Sequence, residues 1–193
     1  MVTGGQGDGQ STEFFHNGKW TPGPDIPYNH RRFGHCQVLL GDTIYITGGF
    51  HSNPNGGYMA STLKLTQDGW VEVGSLAVAR EDFACAVHFG KIFAIGGRGY
   101  RTSGLSSVEI FDPLSETWSF GPYFPQAVTD AQAISWNESL WVMGGWNNTI
   151  HDYNNVLYRL EEDGWKDTGI IVNENGAGRV LPAQIVGRDV INC

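Results

Sequence analysis

Short apolar or alternating segments, each bounded by turn residues, follow one another along the whole chain. Residues 91–95 and 139–143 are mainly apolar, whereas residues 62–65 and 156–160 alternate between apolar and polar positions. Runs of this length, separated by Gly, Asn and Asp, are typical of β-strands. The 27 glycines and the many aromatic residues also fit short strands joined by tight loops better than long helices. The pattern predicts an all-β protein.

These segments recur with a period of about 48 residues. Gly-Gly pairs stand at 4–5, 48–49, 96–97 and 144–145. A tryptophan series keeps the same phase at Trp20, Trp70, Trp118 and Trp165. Each unit is predicted to contain a first apolar strand, a second strand that ends on Gly-Gly, an alternating third strand and a fourth strand that opens on the tryptophan. Asn-Gly or Asp-Gly, a strong hairpin signal, precedes three of the four tryptophans.

A single four-stranded sheet has two faces and cannot bury both of them alone. Stacking like sheets around an axis solves this problem, so the sequence predicts a β-propeller with four-stranded antiparallel blades. The Gly pair would permit positive φ and close backbone approach, and the tryptophan would fill the space between blades. The predicted units are 1–27 (partial), 28–76, 77–124, 125–172 and 173–193 (partial).

The two ends have complementary phases. The chain opens at the end of a second strand, and residues 183–193 read as a first and a second strand. Three whole blades and two complementary half blades result. The halves could pair to close a four-bladed ring, or the chain could be a fragment of a larger propeller.

The third unit carries a family resemblance. A strand ending on Gly-Gly, followed by the sequence VEIFDPLSETW at 108–118, is similar to the Kelch repeat. The second and fourth units have 65–66 (LT) and 160–161 (LE) where the repeat has an aromatic-Asp element. The resemblance implies rings of more than four blades and so favours a fragment, with missing blades or a BTB-type domain elsewhere in a longer chain. It also implies a surface that grips peptide segments of partner proteins.

Chain direction places the loops between strands two and three on the same side as the loops that enter the next blade. This surface, which we call the long-loop face, is rich in the Arg, Tyr and Trp side chains that dominate interface hot spots. The alternatives are that these loops are merely solvated connections and that Arg32 and Arg80 have a structural role at blade junctions. The candidate partner-binding residues are Phe50, His51, Tyr58, Arg98, Tyr100, Arg101, Trp146, Asn148, His151, Tyr153, Arg32, Arg80 and Asp130.

Composition excludes several classes of partner. The formal net charge is −8, from 12 basic and 20 acidic residues, so the sequence lacks the cationic surface that a nucleic-acid-binding protein needs. No apolar stretch approaches the roughly 20 residues of a membrane span, and no signal peptide is visible.

Three cysteines without a C-x-x-C pair favour a reducing compartment, with Cys36 and Cys85 as small core residues. The sequence thus predicts a cytoplasmic protein whose sequons at 137–139 and 147–149 are unused.

Catalytic motifs are absent from the sequence: it has no H-E-x-x-H, no G-x-S-x-G and no P-loop. An axial metal site using His51 and His151 is the weaker alternative, and no cofactor or metal is predicted. Some enzymes share the Kelch architecture, and Glu81 with Arg80 and Arg101 is the one candidate for such chemistry. The sequence therefore predicts a non-catalytic protein-protein interaction module. The resemblance adds two roles, substrate recognition in a ubiquitin-ligase adaptor or a cytoskeletal scaffold. The alternative is a small-molecule or sugar-active propeller enzyme of the epimerase or oxidase type.

Overall fold

A computed structural model describes residues 1–5, 9–51, 56–171, 183–186 and 189–192. Within them lie twenty β-strands and one 3-10 segment, Tyr28–His30. Among the described residues, no helix has the length and apolarity needed to cross a bilayer. The strands are β1 Val2–Thr3, β2 Thr12–His16, β3 Lys19–Pro22, β4 Cys36–Leu40, β5 Thr43–Thr47, β6 Ser61–Thr66, β7 Gly69–Ser75, β8 Ala84–His88, β9 Lys91–Ile95, β10 Val108–Asp112, β11 Thr117–Phe120, β12 Val128–Thr129, β13 Gln132–Trp136, β14 Ser139–Met143, β15 Trp146–Asn147, β16 Asp152–Tyr153, β17 Val156–Glu161, β18 Gly164–Ile171, β19 Ala183–Val186 and β20 Asp189–Asn192.

The strands form antiparallel sheets, which we number as blades. Blade 2 has the order β4-β5-β6-β7, blade 3 has β8-β9-β10-β11, and blade 4 has β13-β14-β17-β18. Blade 1 consists of β1-β2-β3, and β19 pairs only with β20 among the described strands. The predicted four-stranded blades are therefore confirmed. In the part of the chain that the structure describes, the two incomplete units form separate sheets and do not pair with each other.

The blades stack face to face, with their first strands side by side. Strand β8 packs between β4 and β13. The largest buried cluster lies between blades 3 and 4, where Val108 and Ile95 meet Leu140 and Val142. Separate buried clusters lie between blades 1 and 2, around Ile46 and Trp70, and between blades 2 and 3, around Tyr45 and Phe111, so each sheet buries a face against its neighbour.

Tryptophans of the fourth strands join each blade to the one before it. Trp70 Nε1 donates to the carbonyl oxygen of Pro24 at 3.0 Å, and Trp118 Nε1 donates to Thr62 Oγ1 at 2.9 Å. Trp165 Nε1 reaches back in the same way to Pro122 O at 3.0 Å. The predicted position of these indoles between sheets is confirmed. In blade 1, by contrast, the corresponding tryptophan is 53% exposed.

The second glycine of each pair has the conformation that the sequence predicts. Gly97 has a φ of 91° and Gly145 a φ of 83°. A Cβ at Gly97 would lie 2.7 Å from the carbonyl oxygen of Glu81, and one at Gly145 would lie 2.5 Å from that of Thr129. Glycine is required there by both the dihedral and the close approach of the incoming loop.

Cys36 and Cys85 form a disulfide between blades 2 and 3, with their Cα atoms 6.1 Å apart. The expectation that these two residues are free thiols in the core is therefore wrong. Cys36 pairs with Thr47, directly before the first Gly-Gly pair of the whole blades, whereas Ala84 has that place in blade 3. Cys85 is thus one residue out of phase and points to the opposite face of its sheet. That offset makes the two sulfur atoms face each other.

Candidate functional site on the long-loop face

A hydrogen-bonded series of backbone positions runs from blade to blade at the start of the first strands. Gly34, Asp82 and Asp130 lie 48 residues apart and share a positive φ, of 60°, 51° and 56°. The N–H of Asp82 donates to Gly34 O at 2.9 Å, and the N–H of Asp130 donates to Asp82 O at 2.8 Å. This series fixes the carboxylates of Asp82 and Asp130 on adjacent blades.

A second periodic position, directly after each Gly-Gly pair, carries Phe50, Arg98 and Trp146. In blade 2, Phe50 packs edge-on against Tyr58 at 5.2 Å. In blade 4, the rings of Trp146 and Tyr153 make the same contact at 5.2 Å. At this position, blade 3 therefore has a charged residue, Arg98, whereas blades 2 and 4 on either side each have an aromatic pair.

Arg98, Trp146, Tyr58 and Tyr153 line a cavity of about 520 Å³ on the long-loop face. We call it the axial cavity. Its walls combine three aromatic rings, short hydroxyl side chains, one cation and one carboxylate. The lining residues are Tyr58, Arg98, Thr102, Ser103, Thr129, Asp130, Gly145, Trp146, Asn148 and Tyr153.

Three carboxylates surround the single guanidinium of the axial cavity. Arg98 Nη2 lies 2.6 Å from Asp82 Oδ2 and 3.5 Å from Asp130 Oδ2. Arg98 Nε lies 4.0 Å from Glu81 Oε1. Burial raises the pKa of Glu81, as do the charges of Asp82 and Asp130, against the lowering effect of Arg98. Formally, the cluster carries two more negative charges than positive ones.

A smaller cavity of about 380 Å³ lies beside the first, over blade 2. His51 accepts a hydrogen bond there from Arg31 Nε at 2.5 Å. Burial, Arg31 and Arg32 together lower the pKa of His51. His30 Nε2 lies 3.4 Å from Glu72, and burial is the main cause of its lowered pKa. Tyr58 contributes to the walls of both cavities.

The structure brings together about half of the residues that the sequence named for partner contact. Phe50 packs behind Tyr58, and His51 belongs to the smaller cavity. Tyr100 and His151 are exposed on loops of the same face, and the Arg101 guanidinium lies 5.0 Å from the centre of the Tyr100 ring. The predicted residues in the axial cavity are Tyr58, Arg98, Asp130, Trp146, Asn148 and Tyr153.

Arg32 and Arg80 are buried, so the assignment of these two residues to partner contact needs correction. Arg80 Nη1 donates to Gly96 O at 2.8 Å and to Ser107 O at 2.9 Å. Arg32 Nη1 donates in the same way to Gly48 O at 3.0 Å. Both guanidiniums hold the Gly-Gly turn of their own blade, which is the structural alternative weighed for them.

In blade 4, an asparagine binds the Gly-Gly turn in place of an arginine. Val128 has the place that Arg32 and Arg80 have in the preceding blades, sixteen residues before the Gly-Gly pair. The carbonyl oxygen of Gly144 accepts instead from Asn154 Nδ2 at 3.1 Å. The amide of Asn154 thus binds the Gly-Gly turn of blade 4, as the guanidiniums of Arg32 and Arg80 do in blades 2 and 3.

Sequence reasoning missed Asp82, Thr102, Ser103 and Thr129 at this site. The 48-residue period could have identified Asp82, because it places this residue in register with Asp130. The hydroxyl residues carry no comparable signal, since their loops differ in sequence and length from blade to blade.

The three residues considered for enzyme chemistry point in different directions. Glu81 faces Arg98, Arg80 is paired with Glu109, and Arg101 lies over the Tyr100 ring. Among the described residues, no group of three or more His, Cys, Asp or Glu side chains has an arrangement that could hold a metal ion. The axial cavity offers aromatic and charged contacts for a ligand.

Comparisons with known proteins agree with this geometry. A family model described as the Kelch motif matches residues 79–125, which covers nearly all of the third predicted unit, 77–124, and one residue beyond it. The chain is 32% identical over 149 residues to Kelch-like protein 36 of Bos taurus, covering 74% of this chain and 24% of that protein. It is 38% identical over 129 residues to Kelch-like protein 35 of Homo sapiens, covering 66% and 21%.

These matches differ in how much of each protein they include. The chain spans about a quarter of the length of the curated relatives it matches. The solved structure of YjhT superposes with a TM-score of 0.77 at 16% identity, covering 90% of this chain and 61% of that chain. At this identity, the likeness to YjhT shows the fold.

Proposed function

Because this chain is a Kelch-repeat protein folded as a β-propeller, we propose that it is a non-catalytic protein-interaction module that binds its partner on the long-loop face. The axial cavity carries the proposal. Three aromatic rings and a guanidinium line this cavity, and aromatic rings and arginines are the side chains that anchor protein interfaces. The turns on the opposite side join the first strand to the second and the third strand to the fourth, and Leu114 is an exposed side chain in one of them.

The proposed contact surface is the axial cavity with the exposed loop residues around it. The cavity would hold one side chain of the partner, and Tyr100, Arg101 and His151 would contact the flanking chain. The same binding mode serves substrate recognition in a ubiquitin-ligase adaptor and scaffolding of the cytoskeleton. Both roles belong to the proposal.

The experiment is affinity capture with matched variants, followed by reconstitution. A protein partner captured by the wild-type chain is purified, and its affinity is measured for Trp146→Ala and for Leu114→Ala. Trp146 lines the axial cavity, whereas Leu114 is exposed in a turn on the opposite side. We expect roughly a tenfold or greater loss for Trp146→Ala and none for Leu114→Ala. Equal affinity of both variants would reject the long-loop face as the binding surface.

A further inference from the structure

The charges of the axial cavity distinguish between classes of partner. Arg98 makes its shortest ion pair with Asp82, at 2.6 Å, and lies 3.5 Å from Asp130. Its positive charge is therefore already engaged by carboxylates of its own chain. An acidic side chain entering the cavity would meet the Asp130 carboxylate in its wall, with Glu81 and Asp82 close by around Arg98, and like charges placed together weaken an interface.

Asp130 is the carboxylate that faces the open part of the cavity. Its side chain is 34% exposed, and the 3.5 Å contact with Arg98 involves one of its two oxygens. A carboxylate accepts several hydrogen bonds at once, so Asp130 retains capacity for a donor from outside. The backbone bond from its N–H to Asp82 O, at 2.8 Å, holds it in place.

Aromatic rings form the walls next to this carboxylate. Trp146 and Tyr153 meet edge to face at 5.2 Å, and Tyr58 also lines the cavity. An ammonium or guanidinium group is attracted to the face of such rings, with tryptophan the most favourable. A carboxylate beside aromatic walls suits a long side chain whose stem is apolar and whose end is cationic.

We propose that the axial cavity binds a lysine or arginine side chain presented by a peptide segment of the partner protein. The cationic end pairs with Asp130, while Trp146 and Tyr153 flank the aliphatic stem. The formal net charge of −8 attracts a basic segment at long range. This inference rests on the proposed function and specifies the partner chemistry.

The test uses a display library of random dodecapeptides, selected against the wild-type chain. Peptides that bind at the axial cavity are those whose affinity falls with Trp146→Ala. We expect each of them to contain a required lysine or arginine, whose replacement by norleucine lowers the affinity roughly tenfold to a hundredfold. The affinity should also fall as the sodium chloride concentration rises.

Asp130→Asn is the decisive variant on the protein side. Asparagine tolerates the positive φ of this position, so the backbone is retained while the charge is removed. Asp112→Asn is the matched control, because Asp112 has a similar exposure of 35%, is paired with Lys91 and lies on the opposite side. We expect a roughly tenfold or greater loss for Asp130→Asn and no change for Asp112→Asn, with thermal unfolding confirming that both fold.

The outcomes separate this inference from the proposed function. Cavity-binding peptides that require Asp or Glu, or that bind Asp130→Asn as tightly as wild type, would overturn the basic-partner inference and leave the interaction module standing. A selection that yields no peptide sensitive to Trp146→Ala would overturn both.

Discussion

Arg80 Nη2 donates to Glu109 Oε1 at 2.7 Å, and neither side chain has any exposed surface. The Glu109 carboxylate also accepts from the backbone N–H of Ala77 at 2.6 Å and of Val78 at 3.1 Å. The pair therefore ties the loop entering blade 3 to strand β10. Desolvation lowers the pKa of Arg80, and the adjacent Glu109 opposes that shift.

Removing one partner of this pair should be costly. We expect Arg80→Ala to lower the free energy of unfolding by about 3–5 kcal/mol, because it leaves the Glu109 charge buried without its counter-ion. Urea denaturation measures the change. Arg101 is exposed on the long-loop face, so Arg101→Ala is the control. Its free energy of unfolding should stay within about 0.5 kcal/mol of the wild-type value. A loss below about 1 kcal/mol for Arg80→Ala would contradict the structural role.

Two glycines of blade 3 allow the energetic cost of a positive φ to be separated from the cost of steric crowding by a Cβ. Gly90 and Gly97 both have a positive φ, of 71° and 91°, but only Gly97 would place a Cβ under 3.0 Å from neighbouring atoms. We expect Gly90→Ala to cost about 1–2 kcal/mol from its dihedral and Gly97→Ala clearly more. Thermal denaturation of both variants checks this. Equal losses would mean that the incoming loop moves aside without penalty.

The disulfide should stabilise the contact between blades 2 and 3. Closing a loop over a sequence separation of 49 residues is worth roughly 4 kcal/mol in the chain-entropy model. A reductant should therefore lower the unfolding midpoint of the wild-type chain and leave that of a Cys36→Ser/Cys85→Ser variant unchanged. Thiol titration of the unfolded, unreduced protein should find one free thiol of the three cysteines. Three free thiols would refute the bond.

Acidification should destabilise the propeller through His35. Loss of solvent and the nearby Arg32 charge lower the pKa of His35 to about 3. Below about pH 6.5 the unfolded chain binds a proton that the folded chain does not, so stability falls as the pH falls towards 3. From about pH 7 to about pH 5, His35 alone should cost about 2 kcal/mol.

Denaturation of a His35→Gln variant isolates this contribution. Its stability should depend less on pH over that window than the stability of the wild-type chain. His30, His51 and His88 also have lowered pKa values, so they leave a residual slope of the same sign. An unchanged slope in the variant would exclude His35 as the main source.

The strands were predictable because their signals are local. Lys91–Ile95 and Ser139–Met143 have the bounds that the sequence indicated, since each ends on a Gly-Gly pair that only a turn accommodates. The short strands β12, β15 and β16 were missed. They lie in the long loops, where a few backbone bonds between distant segments, without a sequence period, create them.

By itself, the sequence determined the period, the blades and the face that carries the long loops, because strand alternation and turn residues act over a few positions. Only the tertiary structure decided which side chains meet. A one-residue offset turned Cys36 towards Cys85, and burial assigned Arg80 to the core. The axial cavity likewise depends on the backbone bonds that set Asp82 beside Asp130. Such contacts join different blades, so they depend on how the sheets stack around the axis.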